Sequence, residues 1–372
     1  MSTAAPHTPW PRVVAVSLGL ALLVGVLVAA FSWPAVTSDV RDLPVALVAP
    51  DAVAEQLESA LDEKAPGAFD LVAADDREEA VELIETRAVY GAIVVGESPE
   101  VLTASAGGAV ASQLLGTLAT SLQAQLQAAA DAQAAAMGVP APTVTVAVTD
   151  VVPLVEADPR GAGLAAASFP LVLGGMIGGI ALTFALVGVW RRVGALLVYA
   201  IAAGFAAAAV LQGWFGVLPG DYLLNALAYS LAFAAIGAPI VGFASLVGRA
   251  GVAIGPVVFL LFANPISSAT QPVEFLPEPW GAIGQWFPPG AAATLVRDLA
   301  YFPAADARFP WLVLAGWAVG GLLLAVLGHF RQAGGATRGA LEDAEAAEHA
   351  SERAALASAD PASVPAAPAE PA

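Results

Sequence analysis

Cysteine is absent from this chain, and lysine is nearly so: Lys64 is the sole one. The first absence excludes disulfides, thiolate metal sites and cysteine nucleophiles. Histidine occurs three times, at His7, His329 and His349, all outside the long acidic stretch between residues 36 and 163. A Ser-His-Asp triad in that stretch is therefore excluded. No H-E-x-x-H occurs, and no G-x-x-x-x-G-K-[ST], so the chain has no phosphate-cradling loop of its own. Neither a catalytic constellation nor a metal or cofactor site is expected, and any ATP-driven action needs a second protein. Charge of either sign is scarce, at 12% of 372 residues, where an ordinary soluble domain carries about a quarter.

The charge that is present is mostly negative. The net value is −18, carried largely by residues 36–163 and by the tail after Arg338. Phosphate binding needs clustered Lys and Arg, so nucleic acid is excluded as a partner. Heavy use of Ala, Gly, Val and Pro, with Arg in place of Lys, reads as the coding bias of a GC-rich bacterium.

Against this scarcity stand six long apolar runs, in a chain that is 58% hydrophobic with a mean hydropathy of +0.75. They cover residues 13–31, 164–190, 193–213, 222–247, 251–270 and 310–330. A helix needs about 20 apolar residues to cross the hydrocarbon core, and each run qualifies. The first is longer than the roughly 7–15 residues of a signal-peptide core. Phe31-Ser32-Trp33-Pro34 is also a poor cleavage site, so it reads as an uncleaved anchor. The fold class that follows is a polytopic α-helical membrane protein with six spans, with a small α/β or α+β extracytoplasmic domain between spans one and two.

Six crossings would place Arg12, Arg191, Arg192, Arg249, Arg331 and Arg338 on one side, and the positive-inside rule makes that side the cytoplasm. The organisation expected is a cytoplasmic N-terminus (1–12), a first transmembrane helix (13–31) and an extracytoplasmic domain (32–163). A five-helix transmembrane domain (164–330) with an outer hairpin (271–309) follows, then a cytoplasmic acidic Ala/Pro-rich tail (331–372). Tryptophan at the boundaries forms an aromatic belt: Trp10 and Trp190 inside, Trp33, Trp214, Trp280, Trp286 and Trp311 outside. The location is a bacterial plasma membrane, multi-pass, with both termini cytoplasmic.

Inside the runs, residues 193–213, 222–247 and 251–270 hold no acidic residue and, apart from the flanking arginines, no basic one. This weighs against an ion-coupled carrier. Gly174, Gly175, Gly178 and Gly179 repeat at four-residue spacing on one helix face, which suits close helix packing within the chain or a homodimer contact. Asn264-Pro265-Ile266-Ser267-Ser268 is the most polar stretch of any run and reads as a helix break near the outer leaflet. Asn264, Ser267, Ser268 and Gln271 are the candidates for a polar patch on a translocation path.

The domain reads as strands near residues 44–48, 69–73, 89–95, 101–104 and 143–152, with helices at 52–61, 77–86 and 110–137. Asp51 is placed as a helix N-cap. Asp75 and Asp76 suit the N-terminal dipole of the next helix, in preference to a metal site. Beyond the spans, 277–290 reads as a turn stopped by prolines and 291–301 as an amphipathic helix, lying at the membrane surface or dipping into the protein. Residues 339–357 read as a charged helix and 361–372 as disordered.

Two stretches resemble a known family. Glu85-Thr86-Arg87-Ala88-Val89-Tyr90-Gly91-Ala92-Ile93-Val94-Val95, followed by Leu102-Thr103-Ala104-Ser105, is similar to the external domain of the phage-infection-protein (Pip/YhgE-like) membrane proteins of actinobacteria. These are relatives of the membrane subunits of ABC-2 type transporters. Asn264-Pro265-Ile266-Ser267-Ser268-Ala269, Leu276-Pro277-Glu278-Pro279-Trp280-Gly281 and Phe287-Pro288-Pro289-Gly290 are similar to that group's fifth span and outer hairpin. The resemblance covers most of residues 13–330. It implies an ABC-2 type permease or export subunit, commonly dimeric, moving a lipophilic or cell-envelope molecule with a separate ABC ATPase. The chain departs from the pattern in having only twelve residues before its first span and little more than Trp190-Arg191-Arg192 between the second and third. That departure keeps open a non-transporting envelope protein whose external domain binds a partner, a cell-wall component or a phage.

Overall fold

The computed structural model of the chain describes residues 8–96 and 98–358. Five of its helices are long and apolar enough to cross a membrane: α1 (Trp10–Thr37), α5 (Ala162–Ala185), α6 (Val189–Ala208, extended by a wide turn to Trp214), α7 (Tyr222–Val247) and the first part of α10, Arg308–Arg331. The chain is thus a polytopic helical membrane protein. Helix α7 is the hub, packed against α5, α6 and α10. Its sequence is apolar on every side, and a helix of that kind is buried. Ala and Gly along its length let three neighbours approach at once. Asp221 caps its start, accepting from Leu224 N at 2.8 Å.

Helix α1 stands largely apart. It meets the rest near its C-terminal end, where Phe31 packs edge-on to Phe169 at 6.2 Å and Trp33 to Trp280 at 6.1 Å. Gln271 Nε2 also donates to Ser38 Oγ at 2.7 Å.

The fifth apolar run departs from the continuous span expected over 251–270. A tight turn at Arg249–Ala253 leads into Pro256–Ala263, whose turns are wide: Asn264 N donates to Phe259 O, five residues back, at 3.0 Å. Pro256 has no N–H to continue the regular ladder. Helical structure stops at Ala263, so Arg249–Ala263 is shorter than the five spanning helices. At about 1.5 Å per residue it falls short of the ~30 Å hydrocarbon core. Its two ends still lie at opposite ends of the bundle. Arg249 sits over the Phe184 ring near the end of α5, whereas Gln271 is tied to the end of α1.

Between α1 and α5 lies an α/β domain. Its elements are β1 (Leu43–Val48), α2 (Asp51–Lys64), β2 (Phe69–Ala73), α3 (Arg77–Glu85), β3 (Gly91–Val94), β4 (Glu100–Thr103), α4 (Ala109–Met137) and β5 (Ala147–Asp150). The sheet order is β2-β1-β3-β4-β5, parallel throughout except for the antiparallel pair β3–β4. Strand β2 has the bounds its pattern suggests, whereas β3 and β5 are shorter than the expected 89–95 and 143–152. Asp51 is the first helical residue of α2 and makes no cap bond, because Pro50 holds the cap position. Asp76 does cap α3, accepting from Glu79 N at 2.9 Å. The acidic cluster there serves the helix start. Gln123 and Gln127 of α4 accept from Val146 N at 3.2 Å and Val144 N at 2.8 Å, holding the strand that enters β5.

The hairpin after the fifth run forms α8 (Trp280–Gly284) and α9 (Pro288–Tyr301). Helix α9 is embedded in protein, packed on α7 and α10. Asp298, expected on its polar face, is only 4% exposed. Gly284 allows this fold-back, since a Cβ there would run into Ile266 O. Phe275 joins one hydrophobic core of the α/β domain, and Tyr301 and Phe302 join the other. Helix α10 continues without a break to Ser358, absorbing the pattern at 339–357. The expected N-terminal segment with His7, up to residue 7, and the Pro/Ala-rich stretch 361–372 lie outside the described residues.

Candidate binding cleft at the domain end of the bundle

The turn that ends the fifth run carries the polar residues singled out in the sequence. Asn264, Ser267, Ser268 and Gln271 all line one cleft of about 260 Å³, walled by Phe31, Pro34 and Ala35 of α1 and by Ser168 and Phe169 of α5. Two of the four are engaged, one within the turn and one with the end of α1. Ser267 Oγ donates to Asn264 O at 2.7 Å, and Gln271 reaches Ser38. The other two differ. Among the described residues the half-buried Asn264 side-chain amide makes no hydrogen bond, and the buried Ser268 Oγ has no partner. Ser268 also has a φ of 51°, a left-handed conformation uncommon outside glycine.

The turn is held from behind by the hairpin. Gln285 Nε2 donates to Ser267 O at 3.1 Å, with Thr294 Oγ1 donating to Gln285 Oε1 at 2.7 Å. Arg297 Nη2 donates to Ala269 O at 3.0 Å. No Asp, Glu, Lys or Arg lines the cleft. A second cleft of about 600 Å³ lies across Pro265, between α1 and the fifth run, lined by Val26, Ala29, Trp33, Phe262 and Trp280 among others. It is apolar apart from its indole N–H groups.

Behind the turn, the α/β domain grips the hairpin through residues that no sequence pattern joined. Arg87, which follows α3 with a φ of 60°, makes an ion pair with Asp298 and places its guanidinium 5.4 Å from the centre of the Phe302 ring. Tyr90 OH donates to Glu274 Oε2 at 3.0 Å, and Tyr301 OH to Val217 O at 3.2 Å. Burial pushes Asp298 above the usual carboxylate range, and Arg87 and Arg297 pull it back only in part. Burial, with the neighbouring Arg87, takes Arg297 down to about 10. Burial and Glu274 raise the Tyr90 phenol. A continuous set of contacts therefore runs from α3 through α9 to the backbone of the cleft.

Gly174, Gly175, Gly178 and Gly179 of α5 face inward. A Cβ at Gly175 would stand 2.7 Å from Ile236 Cβ and one at Gly174 2.8 Å from Phe233 Cε1, both on α7. One at Gly178 would enter the Tyr199 ring of α6, whose OH donates to Gly174 O at 2.6 Å. One at Gly179 would meet Gly237 O at 3.0 Å. At the far end of the bundle Arg192 and Arg249 line a common notch, and Trp190 packs on His329 at 5.9 Å. The connections there are short: residues 186–188 between α5 and α6, and Gly248 alone after α7.

Residues 11–189 match the family described as ABC-2 family transporter protein. The matched stretch takes in α1, the whole α/β domain and α5, just under half of the chain. The match supports an ABC-2-type membrane subunit. No curated protein and no solved structure matches the chain.

Proposed function

We propose that the chain is the permease subunit of an ABC-2-type exporter of the Pip/YhgE-like kind, moving a lipophilic or cell-envelope molecule with a separate ABC ATPase. In this reading the broken fifth run completes six crossings. Both ends of the chain are cytoplasmic, and the α/β domain stands outside with the cleft at the outer end of the bundle. The observation that carries it is the family match across α1, the α/β domain and α5. The clustering of Arg192 and Arg249 at the end away from the α/β domain supports the orientation. Helix α10 continues beyond Arg331 at that end, where an ATPase would dock.

The second reading, a non-transporting envelope protein whose external domain binds a partner, is favoured by the short connections at 186–188 and Gly248. They leave an ATPase little loop to push on.

Two experiments test the proposal. The chain has no native cysteine, so Glu63→Cys and Arg331→Cys each give an unambiguous label. An impermeant maleimide on intact cells is expected to modify the first and spare the second; the reverse pattern overturns the orientation. Gentle purification of the full chain is expected to bring an ABC ATPase with it. Repeated purifications that bring none remove the export reading and leave the second.

A further inference from the structure

We infer that the two clefts flanking α1 form one binding site for an amphiphile with an uncharged, hydrogen-bonding head and a hydrocarbon tail. The head belongs in the smaller cleft. It offers the Asn264 side-chain amide, which both donates and accepts, and the Ser268 hydroxyl, neither of them paired among the described residues. Burying an ionised head requires a partner charge, and none lines either cleft. A hydroxyl, ester or amide head meets the requirement, and a carboxylate, phosphate or ammonium does not.

The tail belongs in the larger cleft, whose walls are Leu261, Phe262 and the rings of Trp33 and Trp280. Depth supports the pairing. The α1 residues of the larger cleft run from Val26 to Trp33, those of the smaller from Phe31 to Ala35. The apolar cleft is therefore displaced by about one helical turn, ~5 Å, from the end of α1 toward the middle of the bundle. A head near the end of the helices with a tail pointing inward is how an amphiphile already lies in a bilayer. Because α1 touches the bundle at few points, the larger cleft opens sideways to lipid. The inference names the substrate class of the proposed export path, yet binding itself does not depend on export.

The test uses the purified full chain in phosphatidylcholine nanodiscs with no ATPase present. The probes are a diazirine-bearing monoacylglycerol, a fatty acid of the same chain and an alkylammonium of the same chain. Saturable labelling by the monoacylglycerol, mapping to residues 26–35 and 261–271 and at least roughly tenfold above either charged probe, is expected. Asn264→Leu is expected to weaken it by roughly tenfold, the effect of one lost hydrogen bond to a bound ligand. Asn264→Gln should recover part of it, and Leu312→Ala, on the exposed face of α10, should leave it unchanged. Equal labelling by all three probes, labelling that does not saturate, or an Asn264→Leu protein that melts like the parent and labels like it overturns the site. Saturable labelling supports the site even where the Asn264→Leu variant exports normally in cells; that second result would count against the export reading alone.

Discussion

Arg87 and Asp298 lie 211 positions apart in the chain and meet where α3 of the α/β domain presses on α9. Breaking a buried ion pair by removing one partner costs about 3–5 kcal/mol, because the other charge is left without compensation. Arg87→Ala should accordingly lower the melting temperature of the purified chain by several degrees. Its pH dependence has a definite sign. Burial already favours the protonated form of Asp298 in the folded state, so folding takes up protons relative to the unfolded chain as pH falls through the carboxylate range. Removing the cation strengthens that preference. The loss in Arg87→Ala should be largest at neutral pH and shrink on acidification, once Asp298 carries its proton. Asp298→Asn, which removes the charge while keeping a hydrogen-bonding group, should restore part of the stability when added to Arg87→Ala. A melting-temperature deficit that is the same at pH values on both sides of the carboxylate range would show that the pair is not the source. Nothing in the sequence marks these two residues as partners: each is one charge among ordinary neighbouring charges, Arg87 just after α3 and Asp298 within α9, and only the tertiary fold joins them.

Helix α7 and the fifth run show where apolar pattern is a sufficient guide and where it is not. The α7 boundaries, Tyr222–Val247, coincide with those of the apolar run, because Asp221 caps one end and Gly248, with φ 80°, ends the other. The fifth run is as apolar but carries Pro256 near its start and the polar turn at 264–268. Hydropathy counts side chains, whereas the helix is broken by backbone groups. The polar turn was legible as a break, and Asn264, Ser267, Ser268 and Gln271 line one cleft; that Ser267 holds the turn itself and Gln271 ties it to α1 was not legible. Nor was the setting of α9, which the sequence left open between the membrane surface and the protein interior; Arg87, reaching Asp298 from another part of the chain, is part of what holds it inside. The glycines of α5 had two readings from spacing alone, and their surroundings distinguish them physically. Gly175→Ala forces a methyl to within 2.7 Å of Ile236 Cβ, whereas Gly316 of α10 has nothing within 4 Å of such a methyl. Overpacking of this kind costs about 1–3 kcal/mol, while Ala in place of an unpacked helical Gly gains up to ~1 kcal/mol. Gly175→Ala should therefore lower the melting temperature and the monodisperse fraction in detergent, and Gly316→Ala should hold or raise both. A Gly175→Ala protein that melts normally but changes only its oligomeric state would place this seam between two copies.

Across the whole molecule, the α/β domain and the hairpin after the fifth run share their cores. Phe275 packs with Leu43, Ile93 and Leu115, while Tyr301 and Phe302 pack with Ile84, Val89 and Leu102. The domain therefore owes part of its interior to residues that follow α5, α6, α7 and the fifth run in the chain, and it is built to move with the hairpin that backs the cleft. Burying a large apolar side chain contributes about 1.5–3 kcal/mol. Three of them contribute roughly 5–9 kcal/mol, a large share of the ~5–15 kcal/mol that holds a typical domain. A fragment of residues 38–160, cut out and produced alone, would lose all three together with the Arg87 and Tyr90 contacts. It should keep its sheet but melt well below the full chain and bind a hydrophobic dye at the sites the rings vacate. Within the full chain, Phe302→Ala should reproduce part of that loss, since Phe302 is 2% exposed and also carries the Arg87 guanidinium against its ring. Should the fragment melt cooperatively at the temperature of the domain in the intact protein, with no dye binding, the shared core is not holding the two parts together. Movement of the domain would then have no mechanical route to the cleft.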